Sequence, residues 1–229
     1  MKAPEDYYSR SDKAPAVKMA IKIMDEPKKI VKKEPISLEK LKVKRFRQND
    51  LAELNVVHLD HLIASTLDVF DDDVQVEQNL AEQEYQKDLL QKFGKKLDNH
   101  ETAPLYVGWV NSLVGHGVFA DNKIEKGQFV GECTGRIVYS DKAGPADKFL
   151  FYYPSASNTK QFVISAQKEG NLLRFINHAS NSNVEGEFVY HKGLWRLAFI
   201  ATKNIEAGEQ LGLDYGPDFW KGQREPLPL

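Results

Sequence analysis

The chain has 229 residues, 41% of them hydrophobic, with a formal net charge of -2, enough for one well-buried core and a small appendage but not for two large domains. The near-neutral balance excludes a dedicated nucleic-acid-binding domain, which needs a concentrated basic surface; one cysteine, Cys133, excludes an intramolecular disulfide and a thiolate-based zinc site. No apolar run approaches the roughly 20 residues that span a bilayer, and the opening Met1-Lys2-Ala3-Pro4-Glu5-Asp6 lacks the apolar stretch of a secretory signal, so a soluble protein is expected.

In chain order, residues 1–36 come first. They are rich in Lys, Pro and Ala without sustained periodicity and read as a basic flexible arm, suited at most to weak nucleic-acid contact. Residues 1–50 carry 14 Lys/Arg against 8 Asp/Glu, whereas residues 51–100 carry 4 against 11, so the two segments have separate characters. Residues 37–99 read as a small helical N-terminal subdomain. Leu38 and Leu41, then Leu51 and Leu54, fit short helical stretches, and a stronger helix is expected from Asp73, a good N-cap, to Gly94, a good stop. Within it Leu80, Ala81, Tyr85, Leu89 and Phe93 lie near one stripe. His58 and His61 are three apart and have no third ligand nearby, so they read as surface residues.

After Pro104 the pattern changes to short β-rich runs: Leu105 to Val110, Gly117 to Ala120, Gln128 to Glu132, Phe162 to Ser165, Glu187 to Tyr190, Trp195 to Thr202 and Gln210 to Asp214. Turns at Lys126-Gly127, Lys192-Gly193 and Ala207-Gly208 separate them. The expected fold class is mostly β with minor α, built from small sheets; within it only Ala166 to His178 looks weakly helical. Three segments look too specific for structure alone. Val114 to Ala120 places two glycines one residue apart, so the backbone can approach a ligand closely. Gly170 to His178 sets Arg174, Asn177 and His178 beside an apolar block, where buried polar groups need partners. Gly208 to Gly216 is a strand ending in Tyr215 at a glycine break.

Taken in order, these segments resemble the SET domain, the fold of protein-lysine methyltransferases. The G-x-G run matches Gly115 to Ala120, and the I-x-x-G-x-x-V-x-E-x-x-G run matches Ile124, Gly127, Val130, Glu132 and Gly135. R-F-I-N-H is complete at Arg174 to His178, and G-E-x-L-x-x-D-Y-G is complete from Gly208 to Gly216. The resemblance covers residues 105–220, with 221–229 as a tail. Trp109-Val110-Asn111-Ser112 and the ending from Tyr215 to Trp220 are especially similar to compact, zinc-free SET enzymes of chlamydial bacteria and large algal viruses.

The resemblance implies a crossing at which the segment carrying Asn177 and His178 meets the one carrying Tyr215, with S-adenosylmethionine on one face and the substrate lysine entering from the other. His116, Gly117, Asp147, Phe149, Arg174, Asn177, His178 and Trp220 would bind the cofactor, Tyr215 would be catalytic, and Leu213, Cys133 and Phe219 would line the lysine channel. No zinc is implied, since Ala179-Ser180 and the tail lack the cysteines that many relatives use. Cys133 and Phe149 stand where the family often has Tyr, so two channel hydroxyls are missing. Leu213, two residues before Tyr215, implies a di- or trimethylated product. Histone tails are the implied substrate and, by likeness to the chlamydial enzymes, a secreted effector acting in a host nucleus the implied setting. The same residues fit two other classes, a SET-fold binding module without catalysis and a nucleic-acid adaptor built on the basic arm; titration with S-adenosylmethionine discriminates the first, and salt-dependent DNA binding the second.

Overall fold

The computed structural model describes residues 44–70, 80–144, 147–154, 161–217 and 219; the arm at 1–36, Leu38, Leu41, Asp73, Trp220 and the tail at 221–229 lie outside them. Before the domain proper come a 3-10 helix, Gln48–Leu54, two short strands, β1 (Val57–His58) and β2 (Ile63–Ala64), and one long helix, α1 (Leu80–Asp98). Eleven strands follow: β3 (Leu105–Asn111), β4 (Gly115–Ala120), β5 (Phe129–Glu132), β6 (Arg136–Tyr139), β7 (Leu150–Tyr153), β8 (Phe162–Ser165), β9 (Glu169–Gly170), β10 (Asn177–His178), β11 (Val184–His191), β12 (Leu194–Ala201) and β13 (Gly212–Leu213). Strand predominates, as the composition of the second half requires.

The strands form four small sheets, ordered β1-β9, β3-β4, β2-β6-β8-β7 and β10-β13-β11-β12-β5. Turn chemistry sets their registers. Lys192 and Gly193 both have positive φ, 55° and 81°, the geometry a tight hairpin needs to match strand twist, and β11 and β12 pair without a slip from Val184↔Ala201 to His191↔Leu194. β6 and β7 were not foreseen. Arg136–Tyr139 is a four-residue run without a flanking turn pair, and Leu150–Tyr153 alternates exposed with covered residues only once it becomes the sheet edge.

The segment before residue 105 does not behave as a separate helical unit. Leu51 and Leu54, three apart, complete a 3-10 turn that ends at Asn55 in left-handed conformation, φ 58°. β1 and β2 then pair with β9 and β6 of the later domain. Phe46, Leu51, Val56 and Ile63 join the same core as Val107, Val118, Ile137 and Leu173. α1 continues past Gly94 to Asp98, because Leu97 adds the third member of a Leu89, Phe93, Leu97 stripe buried against Phe129, Val189, Ala198 and Ile200; this burial outweighs the ~1 kcal/mol that glycine costs inside a helix. The left-handed stop is His100, φ 52°, with Glu101 N–H donating to Lys96 C=O at 2.9 Å and His100 N–H to Leu97 C=O at 3.2 Å. Tyr85 is exposed. Its place on the buried side goes to Gln86, whose amide donates to Phe188 C=O and accepts from Tyr190 N–H, clipping α1 to β11.

The weakly helical stretch at 166–178 is a single 3-10 turn, Leu172–Phe175, between β9 and β10. Asn171 caps it, accepting from Leu173 N–H and donating to Glu132 C=O at 2.6 Å. β10 then runs parallel to β13, Asn177 opposite Gly212. Asn183 ties the crossing: its amide donates to Gln210 C=O at 2.9 Å and its carbonyl accepts Gly212 N–H at 2.8 Å. The two segments expected to meet therefore do meet.

Candidate functional site

The ends of these elements enclose a cavity of about 470 Å3, within the usual range for a small-ligand site. Its first wall is the tip of the β3–β4 hairpin, Val114, Gly115 and His116. Asn111 shapes that tip by accepting the N–H groups of Leu113 and Val114 at 2.8 and 3.0 Å, and Gly115 enters β4 at φ +77°, where a side chain would be strained. The His116 ring stands edge-on to Trp109, Phe46 and Phe175, with centroids 5.3, 5.7 and 6.2 Å away. Its backbone carbonyl accepts the Asn177 side-chain amide at 3.0 Å, which locks the first wall to the second.

The second wall runs from Arg174 to Asn177. Arg174 is buried; its Nε donates to Ala166 C=O and its Nη2 to Gln167 C=O. The guanidinium lies 3.6 Å from the Phe149 ring centroid and 4.7 Å from that of Phe175. Burial pulls its pKa down to about 10, against the pull of Asp147, so it stays cationic at neutral pH.

The third wall is Leu213, Asp214, Tyr215 and Phe219. The Tyr215 hydroxyl donates to Ile176 C=O at 2.5 Å, its backbone N–H donates to His178 Nδ1 at 3.2 Å, and its ring packs against Phe219 with centroids 4.7 Å apart. The bond to Nδ1 assigns the His178 proton to Nε2. Burial pushes the Tyr215 hydroxyl up to about 12. With its proton given to Ile176, this oxygen can offer a bound amine only an acceptor lone pair. The fourth wall is the edge strand β7 with Lys148 and Phe149 before it; Tyr152, 68% exposed, forms the rim.

The SET domain family model matches residues 115–216, a stretch that contributes every cavity-lining residue except Val114 and Phe219. The chain carries a SET domain. It is 35% identical over 115 residues to the histone-lysine N-methyltransferase EZH2 of Chaetomium thermophilum, covering 46% of this chain and 8% of that protein. It is 38% identical over 113 residues to human histone-lysine N-methyltransferase EHMT1, covering 47% and 9% respectively. The chain thus spans only about a tenth of the length of these curated relatives. Among solved structures, a humanized Chaetomium thermophilum Polycomb Repressive Complex 2 bound to GSK343 aligns at TM-score 0.47 and 33% identity, covering 52% of this chain and 16% of that one.

Of the residues singled out in the sequence, the SET domain brings Tyr215, His116, Phe149, Arg174, Asn177, Leu213 and Phe219 to the one cavity. His178 sits behind Tyr215 and holds its backbone rather than lining the wall. Asp147 stands one layer back, bonded to the Ser165 hydroxyl and to Phe149 N–H. Gly117 is not a lining residue, but it must be glycine: a Cβ there would lie 2.8 Å from Val110 Cγ2 and from the Gln210 side-chain amide. Cys133 is not at the channel. It is wholly buried in the core, burial pushes its thiol pKa upward, and its backbone belongs to the Leu197 pairing; the family's hydroxyl at that position therefore has no counterpart to lose in this cavity. Ile176 and Tyr152 were overlooked. Ile176 acts through a backbone carbonyl, which no side-chain pattern signals, and Tyr152 could be found only from the alternation of the edge strand. Among the described residues no cluster of three or more His, Cys, Asp or Glu is placed to hold a metal; His58 pairs with Gln48 and His61 with Asp60.

Proposed function

We propose that this SET domain transfers methyl groups from S-adenosylmethionine to a lysine side chain of a protein. One observation carries the reading: the Tyr215 hydroxyl, fixed by Ile176 C=O, shares a single cavity with the His116 peptide, itself fixed by Asn177. The residues present fit the cofactor. The cavity has the volume, the hairpin tip can approach a ligand because a side chain at Gly117 would not fit, and the wall offers peptide groups, the Arg174 cation and the Phe149 and Phe219 rings. His116, Arg174, Asn177 and Phe149 would hold it, with Trp220 an added cover. When bound, it supplies a methyl group already activated on a sulfonium.

The chain's own residues then need only to align and to neutralise. A free lysine has a pKa of about 10.4, and an apolar passage lowers it by penalising the charge; Leu213, Phe151 and Phe219 make such a passage. Tyr215 orients the neutral amine through its acceptor oxygen. It is not the base, because a hydroxyl held near pKa 12 and already donating to Ile176 does not take up a proton; water carries the proton away. Holding donor and acceptor in line supplies most of the acceleration.

Replacing Asn177 with Ala should weaken S-adenosylmethionine binding by about 1–3 kcal/mol, the cost of leaving the His116 carbonyl without its partner. Calorimetric titration checks this, and an unchanged dissociation constant would remove Asn177 and His116 from the cofactor site.

The finer readings rest on the resemblance and on the relatives' names. Histone tails are the proposed substrate, since the matched relatives are histone-lysine methyltransferases, and delivery as a secreted effector follows only from the likeness to chlamydial enzymes. Zinc is not proposed, closure being assigned to Phe219 and Trp220. Leu213 lines the cavity and brings no hydroxyl that could tether a partly methylated amine, so di- or trimethyl-lysine is the proposed product. Leu213→Tyr should shift the product toward monomethyl-lysine. Mass spectra of a time course with excess cofactor decide, and a wild-type plateau at the monomethyl form would contradict the role given to Leu213.

A further inference from the structure

The hairpin β3–β4 forms the first wall of the cavity, yet it pairs with no further named strand, and a lone two-stranded hairpin is marginal by itself. Its support comes from residues 44–54, outside the matched SET segment. Phe46 forms a two-way backbone bridge with Val107, 2.8 Å in one direction and 2.9 Å in the other. Arg47 pairs with Asp121 at 2.6 Å, just past β4, and donates to Leu105 C=O at 3.1 Å, while Arg45 lies over the Tyr106 ring. The Phe46 ring, fully buried, meets the His116 ring edge-on.

We propose that Phe46 is a positioning residue of the cofactor wall: with Trp109 and Phe175 it holds the His116 imidazole, and thereby fixes the backbone from Gly115 to Gly117 that faces the ligand. This rests on the proposed function, in that the wall in question is the one assigned to S-adenosylmethionine. The pathway is short. Phe46 sets the His116 side chain, the His116 carbonyl receives Asn177, and Asn177 opens β10, the strand that pairs with β13 just before Tyr215. Leu51 provides the contrast, being equally buried in the same segment and the same core but not part of the cavity wall.

The test is calorimetric titration of the full chain with S-adenosylmethionine, for wild type, Phe46→Leu, Phe46→Met and Leu51→Ala, at a temperature well below each variant's melting point. Phe46→Leu and Phe46→Met should raise the dissociation constant by about tenfold, the scale on which loss of a supporting contact disturbs a preorganised site. Leu51→Ala should lower the melting temperature at least as much while binding as wild type does, and the KM for a lysine peptide should be unchanged in all of the variants. Wild-type affinity in either folded Phe46 variant, or equal weakening in Leu51→Ala, would overturn the proposal. A wild-type protein that binds no S-adenosylmethionine would instead remove the cofactor reading, and the proposal with it.

Discussion

Tyr215→Phe should fold, bind S-adenosylmethionine as wild type does, and turn over about a hundredfold more slowly, the loss usual for one preorganised polar group in an active site. The ring keeps its contacts with Phe219 and His178, so packing is preserved; what goes is the hydroxyl and its bond to Ile176 C=O. The pH dependence separates an orienting role from a basic one. Because burial holds the Tyr215 pKa near 12, the hydroxyl stays protonated below that value, and wild-type turnover should climb with pH up to about pH 10 as the substrate lysine loses its proton. A single-turnover pH profile checks this. Near wild-type rates in the Phe variant would remove Tyr215 from the chemistry.

Gly212→Ala should be the most damaging small substitution at the crossing. A Cβ there would fall well inside van der Waals contact with Ala179 Cβ, and neither side can yield easily. Gly212 is the partner of Asn177 in the β10–β13 pair, and it both donates to the Asn183 side chain and accepts the Asn183 N–H. The expected cost is about 1–3 kcal/mol of stability, with loss of cofactor binding because Asn177 and Tyr215 move apart. Gly144→Ala, where an added Cβ meets nothing within 4 Å, should stay within about 0.5 kcal/mol of wild type. Thermal melts compare them. Ala179→Gly in the Gly212→Ala background should recover much of the loss, since it deletes the atom in conflict; failure of that rescue would show that the clash is not the cause.

What could be read from the sequence follows from where each signal lives. The seven expected strands appear because turn residues such as Lys192-Gly193 and Gly127 mark their ends, and Tyr215, Asn177 and His116 meet because their motifs are side-chain patterns. The end of α1 was misplaced since Gly94 is a local stop signal, whereas Leu97 is retained by burial against β5, β11 and β12, which no local pattern reveals. The helical reading of residues 44–70 failed for a similar reason: Leu51 and Leu54 suit any helix, but β1 and β2 exist only through strands more than 70 residues later. Cys133 was assigned to the channel by position in a motif, yet its side chain points into the core shared by both halves of the chain. Ile176 and Phe46 were invisible because one works through its carbonyl and the other lies outside the matched segment.

Methyl transfer to lysine is tested most directly by incubating the full chain with isotopically labelled S-adenosylmethionine and core histones or a cell lysate, followed by mass spectrometry of the modified residues. Label on lysine side chains, dependent on active protein and largely absent with Tyr215→Phe, is the predicted result. No labelled lysine in any protein, from a chain that calorimetry shows to be folded and loaded with cofactor, would contradict it.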